Sequence, residues 1–392
     1  ICILFAKNTR FDYLKSTLRK IRKKKQTISI ILLLFTAGIS VGQHQENHQN
    51  TITNQQIDSI LKANLVNQEH ADSFNQLVIQ DRAGRMKPAH TFASELLRKV
   101  AHDDDFNGLS PSQVLLSIIE NPRFWIEVPV IYLEKGNDKI REILDLPKDA
   151  EYASLGNFYT AEGKSKIGDL VNEAQKKNVR NKFEKDLIKI EERIWILSRA
   201  ISGNMLRIYP IPNDDNNKWV SLPEVSQANF KGTDSVFVKQ SLRAYVQLLQ
   251  ESKQTGDYTQ TNNVLDGIKK FQQKYGADVY PTQEKIDLEI QYNKTQPFLK
   301  LSEYYGYASL LLIVFVILQI FYSKKGLNIA VKFLIGIVVL LFIFHTLGLG
   351  ARWYISGNAP WSNAYESIIY VAWATMLFGL FFGRKSALTI TA

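Results

Sequence analysis

Residues 344 to 373 read FHTLGLGARWYISGNAPWSNAYESIIYVAW, and they hold most of the side chains in this chain that could do chemistry. His345 closes a long apolar run. An ionisable ring at membrane depth is costly, so it marks a candidate functional position. Imidazole can be an axial ligand to haem iron, or it can end a helix by bonding a carbonyl or water. Both readings stand on the residue alone. Arg352, Trp353, Tyr354 and Trp361 follow. Aromatic rings at a membrane–water boundary account for Trp353 and Tyr354. They do not account for a guanidinium on the side where basic residues do not accumulate. Arg352 calls for a carboxylate, either Glu366 or a propionate of bound haem. Gly357 and Pro360 tighten the loop between. Ser362 or Asn363 can cap the next helix, and Glu366 in its first turns suits the helix dipole.

Four apolar segments must position these groups. Residues 27–42 form a short one, preceded by a basic stretch from Lys7 to Lys25 with nine Lys or Arg against one acidic residue, Asp12. That arrangement also fits a cleaved signal peptide, but the apolar tail at 1–6 and the length of the basic stretch argue for a retained helix. Tyr304 to Tyr322 carries no charge and ends at Lys324 and Lys325. The third segment runs from Leu327 to Leu349. The fourth runs from about Ala364 to Phe382 and ends at Arg384 and Lys385. With 7–26 in the cytoplasm and each segment crossing once, every basic cluster falls on the cytoplasmic side. The interval 43–303 then lies outside as one large domain. The net charge of +10 sits beside the apolar segments and not on a domain face, which argues against a nucleic-acid partner. Cys2 is the only cysteine, so no internal disulfide, CxxC redox pair or cysteine zinc site can form. The chain opens on Ile1 at the end of an apolar run, so it is expected to be an excerpt of a longer protein.

The large domain reads as mostly helical. His44 and His48 fall in a Gln- and Asn-rich stretch that reads as a tether. Leu77 to Gln80 and Arg85 to Lys87 flank Ala83-Gly84 as a hairpin. Helices are expected over Thr91 to Val100 and after Ser110-Pro111-Ser112-Gln113, a capping-box start. Phe124 to Leu133 reads as a buried strand, Lys164 to Ser202 as one long helix, and Tyr209 to Val220 as a loop. Further helices fit 234–250, 262–275 and 282–301, the last interrupted at Pro297. His102-Asp103-Asp104-Asp105 reads as a solvated turn, and His70 and His90 as ordinary polar residues. There is no Gly-rich phosphate loop and no zinc-protease motif. The whole predicts a multi-pass α-helical membrane protein with a large, mainly α-helical extracytoplasmic domain that contains some β-structure. Its parts are a truncated helix at 1–6, a basic loop at 7–26, membrane helices at 27–42, 304–323, 327–349 and 364–382, the domain at 43–303, an external loop at 350–363 and a cytoplasmic end at 383–392.

The block Ser356, Gly357, Pro360, Ser362, Asn363, Tyr365, Glu366 and Ser367, preceded by Arg352-Trp353, resembles the start of the CcsA (ResC) membrane protein of cytochrome c biogenesis. The large domain before it resembles, in layout, the CcsB (ResB) partner. Together the chain is similar to an internal part of the fused CcsBA type, known as system II. The resemblance implies a bacterial inner-membrane protein with its large domain in the periplasm. It implies haem b carried to the outer face and joined there to the thiols of an apocytochrome c. Implied partners are that apocytochrome, thiol-reducing membrane proteins and the rest of a CcsBA-type chain. His345 would be an axial or neighbouring group to the iron, Arg352 a propionate partner, and Trp353 and Trp361 apolar walls against the porphyrin. The family's tryptophan-rich loop would lie beyond Ala392, and Asn358 stands where many relatives carry histidine. A transporter subunit without thioether chemistry, or a membrane sensor with an external ligand domain, are the competing readings.

Overall fold

The computed structural model describes residues 54–382, apart from 323, 360, 362 and 363. The expected segments at 1–6, 7–26 and 27–42, the His44/His48 stretch, the 383–392 end and a cap from Ser362 or Asn363 lie outside the described residues. From Asn54 the chain forms α1 (Asn54–Ala63) and α2 (Gln68–Phe74), the second capped by the Asn67 side chain, which accepts from the Glu69 N–H at 2.9 Å. An antiparallel hairpin follows, β1 (Val78–Gln80) with β2 (Met86–Pro88), where Ile79 faces Lys87. Gly84, at φ 87, makes the turn between them.

α3 (Ala89–Val100) starts directly on β2, two residues earlier than its periodicity suggests, with Pro88 before its first turn. α4 (Pro111–Glu120) carries the expected capping box. The Ser110 side chain takes the Gln113 N–H, the Gln113 side chain takes the Ser110 N–H, and Pro111 occupies the first turn. Phe124 to Leu133 is not one strand. A 3-10 turn at Phe124–Ile126 buries Trp125, whose indole N–H donates to Ser117 Oγ at 3.0 Å. Only β3 (Ile131–Tyr132) is extended; it pairs beyond α5 (Asp138–Ile143) with β4 (Tyr152–Ala153).

The single helix expected over 164–202 is two, α6 (Gly168–Lys176) and α7 (Lys182–Ile201). Asn181 breaks the run by capping α7. Its side chain accepts from the Glu184 N–H, and Glu184 accepts from the Asn181 N–H, at 3.0 and 2.9 Å. The apolar tail of α7 packs into the domain core through Ile194, Ile196, Leu197 and Ala200. The loop expected at 209–220 is instead a short hairpin, β5 (Tyr209–Pro210) with β6 (Trp219–Val220). Two side-chain amides hold it. Gln80 accepts from the Trp219 N–H at 2.7 Å and donates to the Asn217 carbonyl at 2.9 Å. Gln272 bonds both backbone groups of Val78 and also donates to the Ile208 carbonyl.

α8 (Gly232–Thr255), α9 (Thr259–Tyr275) and α10 (Gln283–Thr295) complete the domain. α8 and α9 close on the main core, in which Tyr245, Leu249, Leu265 and Ile268 are buried. α10 packs on the β1–β2 side through Ile286 and Ile290, against Val78 and Trp219. Then come α11 (Pro297–Phe321), α12 (Lys325–Ser356) and α13 (Ala364–Phe382). Gln296, at φ 45, separates α10 from α11, and Pro297 fills the first position of α11, so the interruption expected at Pro297 is present. These last three helices are each long and apolar enough to cross a membrane. They share a second apolar cluster built from Leu301, Ala308, Leu312 and Val316 on α11 and Val331, Leu334, Val338 and Leu341 on α12.

Two of the described histidines of the large domain, His70 and His90, are buried. His70 sits between Tyr245 and Tyr258, and its ring nitrogens bond Tyr245 Oη at 2.8 Å and Asn262 Oδ1 at 2.7 Å. His90 is buried with no partner on Nδ1. Burial first, then the Lys294 charge, only partly opposed by Asp72, and last a smaller push from Arg98 hold its pKa down to about 4. The unfolded chain, with histidine near 6.5, therefore binds the proton more tightly than the fold does. Stability is full above about pH 6.5, falls by about 2 kcal/mol by pH 5, and levels off about 3 kcal/mol lower once pH passes below about 4. Denaturation midpoints of the purified protein between pH 7 and 4.5 should fall steeply, and His90→Gln should flatten the profile. A His90→Gln protein with the wild-type slope would assign the acid sensitivity to other groups.

Candidate functional site

α12 has 32 residues and is about 48 Å long at 1.5 Å per residue, well beyond the roughly 30 Å of a hydrocarbon core. About 20 residues from Lys325 bring the helix to His345. The last three turns follow His345 and meet the end of α10. The sequence places Arg352 and Trp353 in a loop, but both lie on this helix, which ends at Gly357 in a left-handed cap at φ 70.

One face of α12 is buried along its length. Val331, Leu334, Val338, Leu341 and His345 recur at intervals of three and four, and Gly348, Leu349 and Ile355 continue it. Gly348 lets α11 come close, because a Cβ there would lie 3.2 Å from the Phe298 ring. Phe298 and Tyr305, seven residues apart on α11, both turn toward His345. Their ring centroids stand 5.4 and 6.1 Å from the imidazole, Phe298 edge-on. His345 is 5% exposed, and neither of its ring nitrogens makes a hydrogen bond of acceptable geometry, although the Ile369 backbone on α13 approaches the ring.

About two turns further along, Arg352 Nε donates to Glu366 Oε1 on α13 at 2.8 Å. The carboxylate side chain is 3% exposed and the guanidinium side 26%. The bond uses one of the five N–H donors of the guanidinium. Arg352 also lies over the Tyr365 ring at 5.6 Å. Tyr292, on α10, is within electrostatic range of Arg352 and Glu366, and it packs edge-on to Phe298 at 6.2 Å. The Tyr305 hydroxyl is buried and, like the His345 nitrogens, has no hydrogen-bond partner, whereas the buried Tyr292 hydroxyl lies against the Arg352 guanidinium. Burying such a group unsatisfied costs about 1–3 kcal/mol. A junction of four helices thus carries three unsatisfied polar atoms near a part-buried ion pair.

Of the residues singled out from the sequence, His345 and Arg352 share this junction. Trp353 and Trp361 do not. Each is 57% exposed; Trp361 packs edge-on to Tyr370 at 5.4 Å, and no ring contact joins either indole to His345 among the described residues. Tyr292, Phe298 and Tyr305 were not readable as site residues. The seven-residue spacing of Phe298 and Tyr305 puts them on one face of α11, but nothing local says that His345 faces it. Beside the junction lies a cleft of about 530 Å³ bounded by the β1–β2 turn, by Tyr280 and Glu289, and by Tyr354 to Ser356. Among the described residues no group of three His, Cys, Asp or Glu side chains stands ready to hold a metal ion.

No family model matches this chain. Protein NrfI of Wolinella succinogenes is 30% identical to it over 329 residues, which are 83% of this chain and 35% of that protein. The chain spans about a third of the length of this relative, and over that third it is homologous to Protein NrfI.

Proposed function

We propose that this chain is part of an inner-membrane protein of cytochrome c biogenesis, of the general CcsA/CcsBA-like class, and that it handles haem at the outer membrane boundary. Homology to Protein NrfI over most of the chain supports the class. So does the layout, a large helical domain followed by long apolar helices. The observation that carries the site is His345, an imidazole buried where helices from both parts of the chain meet, with both nitrogens unsatisfied.

The residues fit haem in part. An unsatisfied imidazole nitrogen is a suitable iron ligand. Arg352 keeps N–H donors beyond the one given to Glu366, so it can hold a propionate without losing that carboxylate. The exposed faces of Trp353 and Trp361 offer apolar surface near the same boundary, though not a shared wall with His345. Bound haem would supply the vinyl groups that become joined to the thiols of an apocytochrome c. The chain's own part is to place the group. His345 would hold the iron, Arg352 would hold a propionate, and the large domain would present the apocytochrome. In the finer reading this is the fused system II arrangement, working with thiol-reducing membrane proteins and the rest of a CcsBA-type chain.

A Soret band in the full-length protein, purified in detergent from haem-replete cells, is the expected result. His345→Ala should reduce it at least tenfold at unchanged protein yield. A transporter or sensor without haem would show no band, and a full band in His345→Ala would place the ligand elsewhere.

A further inference from the structure

The large domain holds a second polar site, away from the membrane helices. The β1–β2 turn, α3, α7 and the segment 204–207 enclose a cavity of about 340 Å³. Trp195, an indole on α7 that is 38% exposed, lines it. Two guanidinium groups stack on this indole, Arg82 at 4.7 Å and Arg199 at 5.2 Å from the ring. Apolar side chains of Phe92 and Leu96 also line the cavity.

The charges around it are unbalanced. Five basic and three acidic side chains line the cavity. Lys87 is satisfied by Asp81 at 3.0 Å and Glu95 at 2.9 Å, and Arg207 reaches Glu224 at 3.2 Å. Arg82 and Arg199 have no ion pair among the described residues. Independently, the Nε–H groups of Arg199 and Arg207 are both buried without an acceptor. Two desolvated donors of this kind on one cavity are expensive unless something supplies an oxygen. A carboxylate in the cavity would neutralise the two cations held on Trp195 and could take the terminal N–H groups of the same guanidiniums. The volume is at the low end of the roughly 300–1,000 Å³ typical of ligand pockets. It suits a group the size of one or two side chains, not a macrocycle.

We propose that this pocket binds a carboxylate carried next to a small apolar group. The carboxylate would bond Arg199 and Arg207, and the apolar part would lie against Trp195 and Phe92. Two sources share this chemistry, an acidic residue beside an apolar one in an extended peptide, and a free small carboxylic acid. The inference does not depend on haem binding.

The test uses the full chain in lipid nanodiscs and titrates two probes, phenylacetate and the peptide acetyl-Phe-Glu-amide, by saturation-transfer NMR. Each is compared with its neutral counterpart, phenylacetamide and acetyl-Phe-Gln-amide. Both carboxylates should bind at least tenfold more tightly than their amides. Arg199→Gln should weaken them at least tenfold, with Arg199→Lys intermediate. Arg82→Gln, at an exposed turn where loss of the side chain leaves the fold intact, should weaken them several-fold and keeps the test decisive if Arg199→Gln does not fold. A peptide that binds tenfold more tightly than phenylacetate identifies the peptide source, and the reverse identifies the free acid. Equal binding of acids and amides, or wild-type affinity in Arg82→Gln and Arg199→Gln, overturns the proposal.

Discussion

Arg352→Met is expected to destabilise the helix junction by about 3 kcal/mol, because it strips the guanidinium from a carboxylate that is 3% exposed. The reverse change should be milder. In Glu366→Leu the arginine, 26% exposed, can lift its head toward water while its stem stays in place, at a cost of about 1 kcal/mol. The double variant Arg352→Met/Glu366→Leu replaces an ion pair by apolar side chains of similar size, and such replacements are often neutral. It should therefore be more stable than Arg352→Met alone. Denaturant-induced unfolding of the purified protein in mixed micelles measures all three against wild type. If the double variant were no better than Arg352→Met, the loss would come from packing and not from the pair. The outcome also bears on function. A strongly coupled pair means that Glu366 holds Arg352 in one orientation, with its remaining donors available to a second anion.

Much of this architecture was legible because local chemistry and tertiary structure agree. Ser110, Pro111 and Gln113 start α4 as capping residues should, Gly84 turns the first hairpin, and Pro297 marks the boundary of α11. Two departures from the expected elements differ in kind. The break before α7 had a signal, Asn181 followed three residues later by Glu184, which was masked by the strong periodicity on both sides. The β5–β6 hairpin had none. Its strands are two residues each, and distant amides hold them: Gln80 bonds Trp219 from 139 residues away, and Gln272 bonds Ile208, just before β5, from 64. The site divides in the same way. His345 and Arg352 stand out because an ionisable group beside apolar segments is costly wherever it points. Tyr292, Phe298 and Tyr305 are aromatic residues of ordinary type, and only the close approach at Gly348 turns them into the surroundings of His345.

The expected sidedness of the chain gives the other large effect. Val179 is 89% exposed in the large domain, and Lys325 is exposed at the start of α12. Between them, α11 carries 25 residues, about 37 Å of helix, enough to cross the hydrocarbon layer once. Lys324 and Lys325 at its end favour the cytoplasmic face, and moving them across would cost several kcal/mol each in lost solvation on the way. In a background freed of other cysteines, Cys2 among them, Val179→Cys should react almost completely with a membrane-impermeant maleimide in spheroplasts. Lys325→Cys should stay unlabelled until the membrane is opened. Both substitutions replace exposed residues, so the contrast reads topology and not folding. Equal labelling of both in sealed spheroplasts would mean that α11 does not cross. The junction around His345 would then not lie at a membrane boundary, and the reason for its unsatisfied polar atoms would have to be sought within the protein itself.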